Sequence, residues 1–286
     1  MDIVDEVDSE TKAEQGANAP AGIQPQSYLL ELSLDWIVLR ASENIHHIIH
    51  ESHVALIDEP LGKFVHSQAL HDLRNLFARL SGTTGIGRAY GIRLTDDHDL
   101  VDISFQLVDG RVLLEAVPSA GSFGESFGTV GGLISGLANI TGQALLDGGA
   151  RRMRALTGYD RVRLSCGGEN AESVRGAFAG APPLTGFPVM IADAGTMTVA
   201  LFPGEPEESS AEEALFRSPS ESEKEALSSA DVRAILRLPF RMGDISGEFW
   251  CENRTPREPS FELHAAAELF AQMFAMQLAL DRATRD

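Results

Sequence analysis

One hairpin limits the folds open to this chain more than any other feature of its sequence. Residues 100–117, LVDISFQLVDGRVLLEAV, place Asp109-Gly110 between two apolar-rich runs. Asp-Gly supplies the positive backbone angles of a tight antiparallel turn, so the two runs are predicted to pair as neighbouring strands. Strand-like runs at residues 27–42 and helical spacing at residues 43–57 and 70–80 precede the hairpin. Together these segments predict a small α+β domain over residues 22–118.

A second set of strands and helices follows over residues 158–286. The strand candidates are GYDRVRLSC, VRGAFA, PVMIAD, TVALF, VRAILRLPF and ISGEFWC. A long final helix is predicted from Pro259-Ser260 to about Asp281, with Phe270 and Phe274 on its apolar inward face. The run Ser218-Pro219-Ser220-Glu221 fits a helix start in which Ser218 caps the helix and Glu221 returns the bond. This pattern predicts a second α+β domain.

The residues between the two domains, 119–157, are predicted to form a linker and one long helix. Its apolar positions recur at helical spacing from about residue 127, and its glycines would let another helix approach closely. We expect this helix and the C-terminal one to form a homodimer interface. The candidate contact residues are Gly132, Gly136, Leu137, Phe270 and Phe274.

Charge excludes several classes of partner. The chain of 286 residues has 42 acidic and 23 basic residues and a net charge of −19, which disfavours direct binding to nucleic acid and to anionic lipid. Residues 1–21 are acidic and are predicted to be disordered.

No run of about 18 apolar residues and no secretory signal is visible, so we expect a cytoplasmic protein without a membrane span. Two cysteines cannot build a disulfide framework or a zinc site alone.

Three motifs that suggest enzymes or ligand sites have simpler explanations. GESFG (124–128) matches a nucleophile elbow, but a loop with Pro118 precedes it and His264 is the only later histidine. His46, His50 and His53 share one helical stripe that is predicted to face solvent, so no metal is expected. GTTGIGRAYG lacks the last glycine of a dinucleotide-binding loop. We therefore expect no catalytic residues.

The order of the segments resembles bacterial phytochromes. AGIQPQSYLLELSLDWIVLRASENI resembles the start of their PAS domain and DISFQLVDGRVLLEAVPS its end. LTGYDRVRL, IADAG, Ser218-Pro219, LRLPFRMGDISGEFWCENRTPR and the final helix are similar to successive parts of their GAF domain. The resemblance covers residues 22–281 and implies tandem PAS and GAF domains, each an antiparallel sheet flanked by helices. It also implies a knot in which the Ile23 segment threads a GAF loop.

The departures from that family lie at its pigment-binding positions. Phytochromes hold a bilin in the GAF pocket, attached to a cysteine ahead of the PAS domain or beside a GAF histidine. Here residues 1–22 contain no cysteine, and Glu221 stands where a histidine follows Ser-Pro. Cys251-Glu252-Asn253 stands where the family has Cys-His-His, and the Asp-Ile-Pro segment is missing. The resemblance makes Glu221, Trp250, Cys251, Glu252 and Asn253 the candidate pocket residues.

These departures predict a phytochrome-like signalling or interaction protein without covalent bilin, working through dimerisation or a partner protein. No cofactor is expected. The alternative is a small-ligand receptor or photoreceptor that holds a tetrapyrrole, biliverdin or heme, noncovalently in the GAF pocket. No third photosensory domain and no kinase module is visible, so a signalling partner is expected to carry the output.

Overall fold

The computed structural model describes residues 22–80, 85–96, 99–120, 124–183, 187, 189–204 and 210–284. In these residues the chain forms two antiparallel sheets and seven α-helices. The predicted disordered segment, 1–21, lies outside the described residues. The α+β class predicted from the sequence is confirmed, whereas the exact domain boundaries stay a prediction.

The first sheet has seven strands in the order β1-β10-β3-β2-β6-β5-β4. These strands are β1 (Gly22–Ile23), β2 (Tyr28–Leu32), β3 (Val38–Ser42), β4 (Gly87–Ile92), β5 (Val101–Val108), β6 (Arg111–Pro118) and β10 (Val199–Phe202). The predicted hairpin joins β5 to β6, with positive φ angles at Asp109 (47°) and Gly110 (75°). One face of the sheet packs on α1 (His46–Ile49), α2 (His53–Leu56) and α3 (Ser67–Leu80).

The second sheet has five strands in the order β8-β7-β12-β11-β9. These are β7 (Arg161–Cys166), β8 (Glu169–Val174), β9 (Met190–Ile191), β11 (Ala234–Met242) and β12 (Ile245–Asn253). One face packs on α5 (Gly142–Thr157) and α7 (Phe261–Ala283), and α4 (Glu125–Ser135) packs on α7. The other face is covered in part by α6 (Glu221–Ser229).

Aromatic rings fix α7 to the second sheet. Phe274 packs on Phe249 of β12 with ring centroids 5.1 Å apart, and it stacks on Phe270. Gly149 of α5 lies beside this cluster, where a Cβ atom would come within 2.4 Å of the Phe274 ring. By length and composition α7 could cross a membrane, but half of its apolar window is buried inside the protein. It therefore has the features of a core helix.

Four predicted elements differ from those observed. The helix predicted through His46, His50 and His53 is broken, because His50 adopts a left-handed conformation (φ 62°) between α1 and α2. The single helix predicted up to residue 157 is two helices, α4 and α5, separated by residues 136–141. The strand predicted at VRGAFA ends at Val174, its first residue. The TVALF strand forms, but it is β10 and pairs with β3 of the first sheet.

The capping box of α6 is also shifted by two residues. Ser220 caps the helix and Glu223 returns the bond, in place of Ser218 and Glu221. SPSESEK contains both registers of the capping pattern, Ser-x-x-Glu. The Ser218 amide instead donates to Gly22 O at 3.0 Å, so this residue belongs to an extended segment beside β1.

Candidate functional site

β12 separates the candidate pocket residues onto two faces of the second sheet. Side chains alternate along a strand, so Trp250 and Glu252 share one face and Cys251 and Asn253 share the other. Each of the four side chains is buried. The face that carries Trp250 and Glu252 also carries their cross-strand neighbours on β7, Arg163 and Arg161. We call it the Trp250 face.

Glu252 is fully buried and is neutralised by two arginines. Its Oε2 accepts from Arg161 Nε, and its Oε1 accepts from Arg163 Nη2 at 2.5 Å. A carboxylate this deep is tolerated only with such partners, because the loss of hydration is otherwise uncompensated. Glu252 is therefore part of a structural ion-pair cluster.

Trp250 fills the centre of the same face. Phe187 meets its ring edge-on, with centroids 5.6 Å apart and planes at 90°. The Arg237 guanidinium lies 5.0 Å above the indole centroid and that of Arg163 lies 5.6 Å from it. Leu227 of α6 completes the contact. Side chains of this chain thus occupy the space in front of Trp250.

Residues 177–183 cross the same face, and arginines bind their backbone. Arg161 Nη1 donates to Gly180 O at 2.7 Å and Arg163 Nη2 donates to Pro182 O at 3.1 Å. The ring of Phe178 lies 4.0 Å from the Arg161 guanidinium. We call residues 177–183 the strap.

Cys251 faces the opposite side, against the helices. Its thiol is fully buried, and burial raises its pKa, which the bond with Thr157 lowers only in part. Cys166, at the end of β7, is also buried, and burial likewise raises the pKa of its thiol. A thiol reacts as its thiolate, so both cysteines are poorly placed for chemical attachment of any group.

Asn253 closes the end of β12. Its Oδ1 accepts from the Asp160 amide at 3.1 Å, and its Nδ2 donates to Thr255 O at 3.0 Å. Every one of these partners belongs to a turn or strand end. Asn253 therefore fastens two strand ends together and does not line the Trp250 face.

Glu221 lies on the surface. It is the first residue of α6, its side chain is 84% exposed, and it pairs with Lys224 at 2.7 Å. The prediction that Glu221 lines a pocket is wrong, because its helix turns this position to solvent.

Ile23 lies between two stretches of one loop. β1 pairs with β10 on one side, and on the other Ile23 forms a bridge with Arg217. Gln24 fixes the crossing with its side chain, which donates to Met190 O (2.7 Å) and Arg217 O (3.0 Å) and accepts from Ala192 N (2.8 Å). Gly22 is required there, since a Cβ atom would lie 2.1 Å from Val199 O. This is the arrangement on which the knot prediction depends.

Three of the proposed dimer contacts are inside the protein. Leu137, Phe270 and Phe274 are completely buried in the core of their own chain, so they cannot meet a partner. Gly132 is exposed, with open space around it, whereas an added Cβ at Gly136 would meet the Arg152 side chain. An amphipathic pattern identifies an apolar face but not what covers it, and here the second sheet covers it.

The nucleophile-elbow motif does not have the required geometry. β6 ends at Pro118, and Ser126 lies inside α4, where its amide donates to Glu262. His264 is buried and accepts from Arg88 at 2.8 Å. Burial, and then the positive charge of Arg88, lower the pKa of His264 to about 3. A histidine in that state is a poor general base.

Arg161 and Arg163 were not among the site residues predicted from the sequence. The signal was present in DRVRLS, where two arginines alternate with apolar residues in a strand of a buried sheet. Period-two spacing places both on one face, opposite the strand that carries Glu252.

Comparison with known proteins gives a fold but no sequence relative. No family model matches the chain, and no curated protein matches its sequence. A bacteriophytochrome from the photosynthetic bacterium R. palustris superposes with a TM-score of 0.75 at 21% identity, over 94% of this chain and 60% of that one. The chromophore-binding domain of Stigmatella aurantiaca phytochrome P1 gives 0.72 at 22% identity, over 91% and 96%.

The chain has the bacteriophytochrome chromophore-binding fold. The resemblance read from the order of sequence segments is thus confirmed at the level of fold. The chain spans 60% of the length of the R. palustris bacteriophytochrome and nearly all of the Stigmatella chromophore-binding domain. A cavity lined by Tyr159, Ile235 and His264 has a volume of about 20 Å³, and none of the candidate pocket residues lines it.

Proposed function

We propose that this chain is a phytochrome-like PAS–GAF signalling or interaction protein with no covalently attached bilin. The single observation that carries the proposal is the filled Trp250 face, which carries two of the candidate pocket residues, Trp250 and Glu252. Trp250, Phe187, the strap and the ion-paired Glu252 take up the room that a flat pigment would need. The two buried thiols give further support.

The test is expression in cells that make biliverdin. We expect a colourless preparation, with no absorption band in the red and no zinc-fluorescent protein band after denaturation. A Cys166→Ser/Cys251→Ser variant is the matched control, and it should give the same spectrum. A red-absorbing band that photoconverts would contradict the proposal, and loss of its covalent part in the double variant would identify the thiol.

The alternative function is noncovalent binding of a tetrapyrrole such as biliverdin or heme. It is favoured by one feature, the three arginines on the Trp250 face (Arg161, Arg163 and Arg237), which could pair with propionate groups. Titration of the purified protein with each pigment distinguishes the two functions. A saturable one-to-one absorption change would support the receptor, and no change would support the signalling module.

The proposed mode of action is homodimerisation through the outer side of α7, together with a signalling partner. Leu269, Met276 and Leu280 are 44%, 54% and 62% exposed, and half-buried Met273 lies between them. Their spacing of four, three and four residues is the seam of a two-stranded coiled coil. These exposed residues replace the buried candidates Leu137, Phe270 and Phe274.

Light scattering after size exclusion tests this interface. The wild-type protein should be a dimer, and Met276→Glu should be a monomer because it places a charge in the apolar seam. Gln272→Glu, at an exposed position of the same helix, is the control and should remain dimeric. A monomeric wild type at about 50 µM would contradict dimerisation, since stable dimers persist at that concentration.

The proposal also covers the location of the protein, its lack of enzymatic activity and the class of partner it does not bind. The protein is proposed to be cytoplasmic, with no enzymatic activity of its own and no nucleic-acid partner. The net charge of −19 supports the last point, because it repels a phosphate backbone.

A further inference from the structure

Four arginines surround the turn between α5 and β7. Two of them bind the buried carboxylate of Asp160: Arg175 Nη2 lies 2.8 Å from its Oδ1, and Arg254 Nε lies 3.6 Å from its Oδ2. Arg257 Nη2 donates to Thr157 O, at the end of α5, at 2.9 Å. We call Arg154, Arg175, Arg254 and Arg257 the arginine cluster.

The arginine cluster has more guanidinium groups than carboxylates to match them. In the described part of the chain, the carboxylate that forms ion pairs with it is that of Asp160 alone. Arg154 Nε donates to a neutral acceptor, Ser173 Oγ, at 2.9 Å, and Arg257 donates to a backbone carbonyl. The cluster is therefore positively charged, on a protein whose net charge is −19.

Two further acidic residues lie near the cluster in the chain. Glu258 follows Arg257 and is exposed, whereas Glu172 lies 3.9 Å from Arg161, on the other face of β8 from Ser173. If both carboxylates are counted with Asp160, four guanidinium groups still leave one positive charge in excess. The cluster thus fits an acidic segment.

The start of the chain supplies such a segment. Residues 1–15 lie outside the described residues and hold six acids and one lysine. The described chain begins beside the cluster, because Gln24 Oε1 accepts from Ala192 N at 2.8 Å and Ala192 O accepts from Arg257 N at 2.9 Å. Residues 15–21 span about 23 Å when extended, so the acidic residues before them can reach the arginines.

The tether favours this segment over an acidic partner in solution. A protein of net charge −19 repels a free acidic peptide at long range. A segment of the same chain is held near the cluster at an effective concentration of roughly millimolar, which offsets that repulsion.

From this placement we propose that the acidic residues of segment 2–14 bind in cis to the arginine cluster and cover the turn between α5 and β7. Each ion pair on a protein surface is weak, so the contact is an equilibrium that depends on several charges together. While it is bound, the segment keeps other acidic peptides off this surface. Failure of this contact would leave the proposed function as it stands, because the two rest on different observations.

Trypsin cleavage at Lys12 in the full chain tests the contact. Lys12 is the only lysine or arginine in residues 1–22, so its cleavage is read from one mass change by mass spectrometry. Arg154→Gln/Arg175→Gln weakens the cluster and leaves Arg254 to pair with Asp160. We expect this variant to be cleaved at Lys12 about fivefold faster than wild type, since surface ion pairs are lost.

The matched control makes the same change of charge elsewhere. Arg79→Gln/Arg93→Gln alters two exposed arginines of the first half of the chain and should be cleaved at the wild-type rate. In 1 M salt the wild type and the cluster variant should be cleaved equally fast, because salt screens surface charges.

A variant of the segment itself completes the test. Asp5→Asn/Glu6→Gln/Asp8→Asn changes none of the described residues, and it should speed cleavage at Lys12 as much as the cluster variant does. Combining the two sets should add nothing further, since either one already breaks the contact. Cleavage of the cluster variant at the wild-type rate, or additive effects of the two sets, would overturn the inference. Protection that grows with protein concentration would also overturn it, because it assigns the segment to a second copy.

Discussion

Glu115 lies in the middle of β6 and binds a loop that comes from a hundred residues later in the chain. Its two carboxylate oxygens accept from Leu215 N (2.7 Å) and Phe216 N (3.0 Å). Its cross-strand neighbours, Leu29 and Ser104, are uncharged. Complete burial raises the pKa of Glu115 to about 7, and the two backbone bonds lower it only in part.

This shift predicts a pH dependence of stability. The folded-state pKa of about 7 lies above the ordinary value of 4.5, so protonation favours the folded state. The contribution is complete below pH 4.5 and is lost as the pH rises through 7. Glu115→Gln should remove this loss. Between pH 5 and 8, the free energy of unfolding of the variant should fall by up to about 3 kcal/mol less than that of wild type.

Urea unfolding at several pH values measures the effect. Glu43→Gln, which changes an exposed carboxylate in the same half of the protein, should keep the wild-type pH profile. Carboxylates with lowered pKa, such as Asp160 beside Arg175, act in the opposite direction and are common to all three proteins. A Glu115→Gln profile parallel to that of wild type would show that this carboxyl group is not responsible.

Gln24 should contribute more to stability than its size suggests. Gln24→Ala removes three bonds to the backbone at Met190, Ala192 and Arg217 and leaves those buried groups unmatched. We expect a loss of about 2–4 kcal/mol in the free energy of unfolding, measured by urea. Gln26→Ala is the control, because Gln26 Oε1 has no partner in the described part of the chain. Equal effects of the two substitutions would contradict this role.

At the residue scale, the sequence predicts which side chains are buried better than it predicts which groups they contact. The apolar residues Phe249 and Trp250 in GEFWC correctly predict a buried strand. The cost of a buried Glu252 could also be foreseen, but its compensation by Arg161 and Arg163 required knowing which strands are neighbours. That information is nonlocal, since β7 and β12 are about 80 residues apart.

At the scale of elements, α7 caps the two helices that pack against it. Glu262 Oε1 accepts from Gly124 N and Ser126 N, both at 3.1 Å, at the start of α4. Asp281 Oδ2 accepts from Gly142 N at 3.2 Å at the start of α5. Neither helix has a side-chain cap of its own, so these carboxylates satisfy amides that would otherwise lack partners.

Removing each carboxylate should therefore loosen a different helix. Glu262→Ala should speed amide hydrogen exchange in the first turn of α4, and Asp281→Ala should do so in α5. Each variant should lose about 1–2 kcal/mol of stability, as for other helix caps. Mass spectrometry of exchanged peptides reads both helices at once, so each variant is the control for the other. The same exchange pattern in both variants would contradict separate capping.

Helix existence was predictable here, whereas helix continuity was not. The apolar spacing in residues 127–157 correctly identifies helical residues, but it does not show the break at 136–141, where the Arg152 side chain donates to Gly136 O at 2.7 Å. A helix end stabilised from a neighbouring helix leaves no local signal. Similarly, the SPSESEK segment contains two capping registers, and the contact of Ser218 with Gly22 selects the second.

At the scale of the whole molecule, the two halves are joined by polar contacts as well as apolar ones. Arg88 of β4 donates to His264 and forms a 2.9 Å ion pair with Glu268, both on α7. Val117 of β6 belongs to the same apolar core as α5 and α7. A change in the position of β4 or β6 would therefore be felt directly by α7, the helix on which we place the dimer seam.

The order of the segments could be read from the sequence, but it could not be seen there that β10 belongs to the first sheet. TVALF has the composition of a strand in any sheet, and nothing local says that it pairs with β3, more than 150 residues earlier. In this pairing Leu201 lies opposite Ser42, and β1 pairs with the other edge of the strand. The pairing of distant segments is what the resemblance to a family supplies and residue patterns do not.

Because β10 pairs with both β1 and β3, the first sheet can be completed only after residues far along the chain have been synthesised. When the ribosome has finished β6 at Pro118, the first sheet still lacks β10 and the loop that covers Ile23, Leu29 and Leu113. About a hundred further residues must emerge, which takes roughly 5–20 s at ordinary rates of translation. Until those residues emerge, the apolar side chains of Ile23, Leu29 and Leu113 lack the segment that covers them in the folded protein.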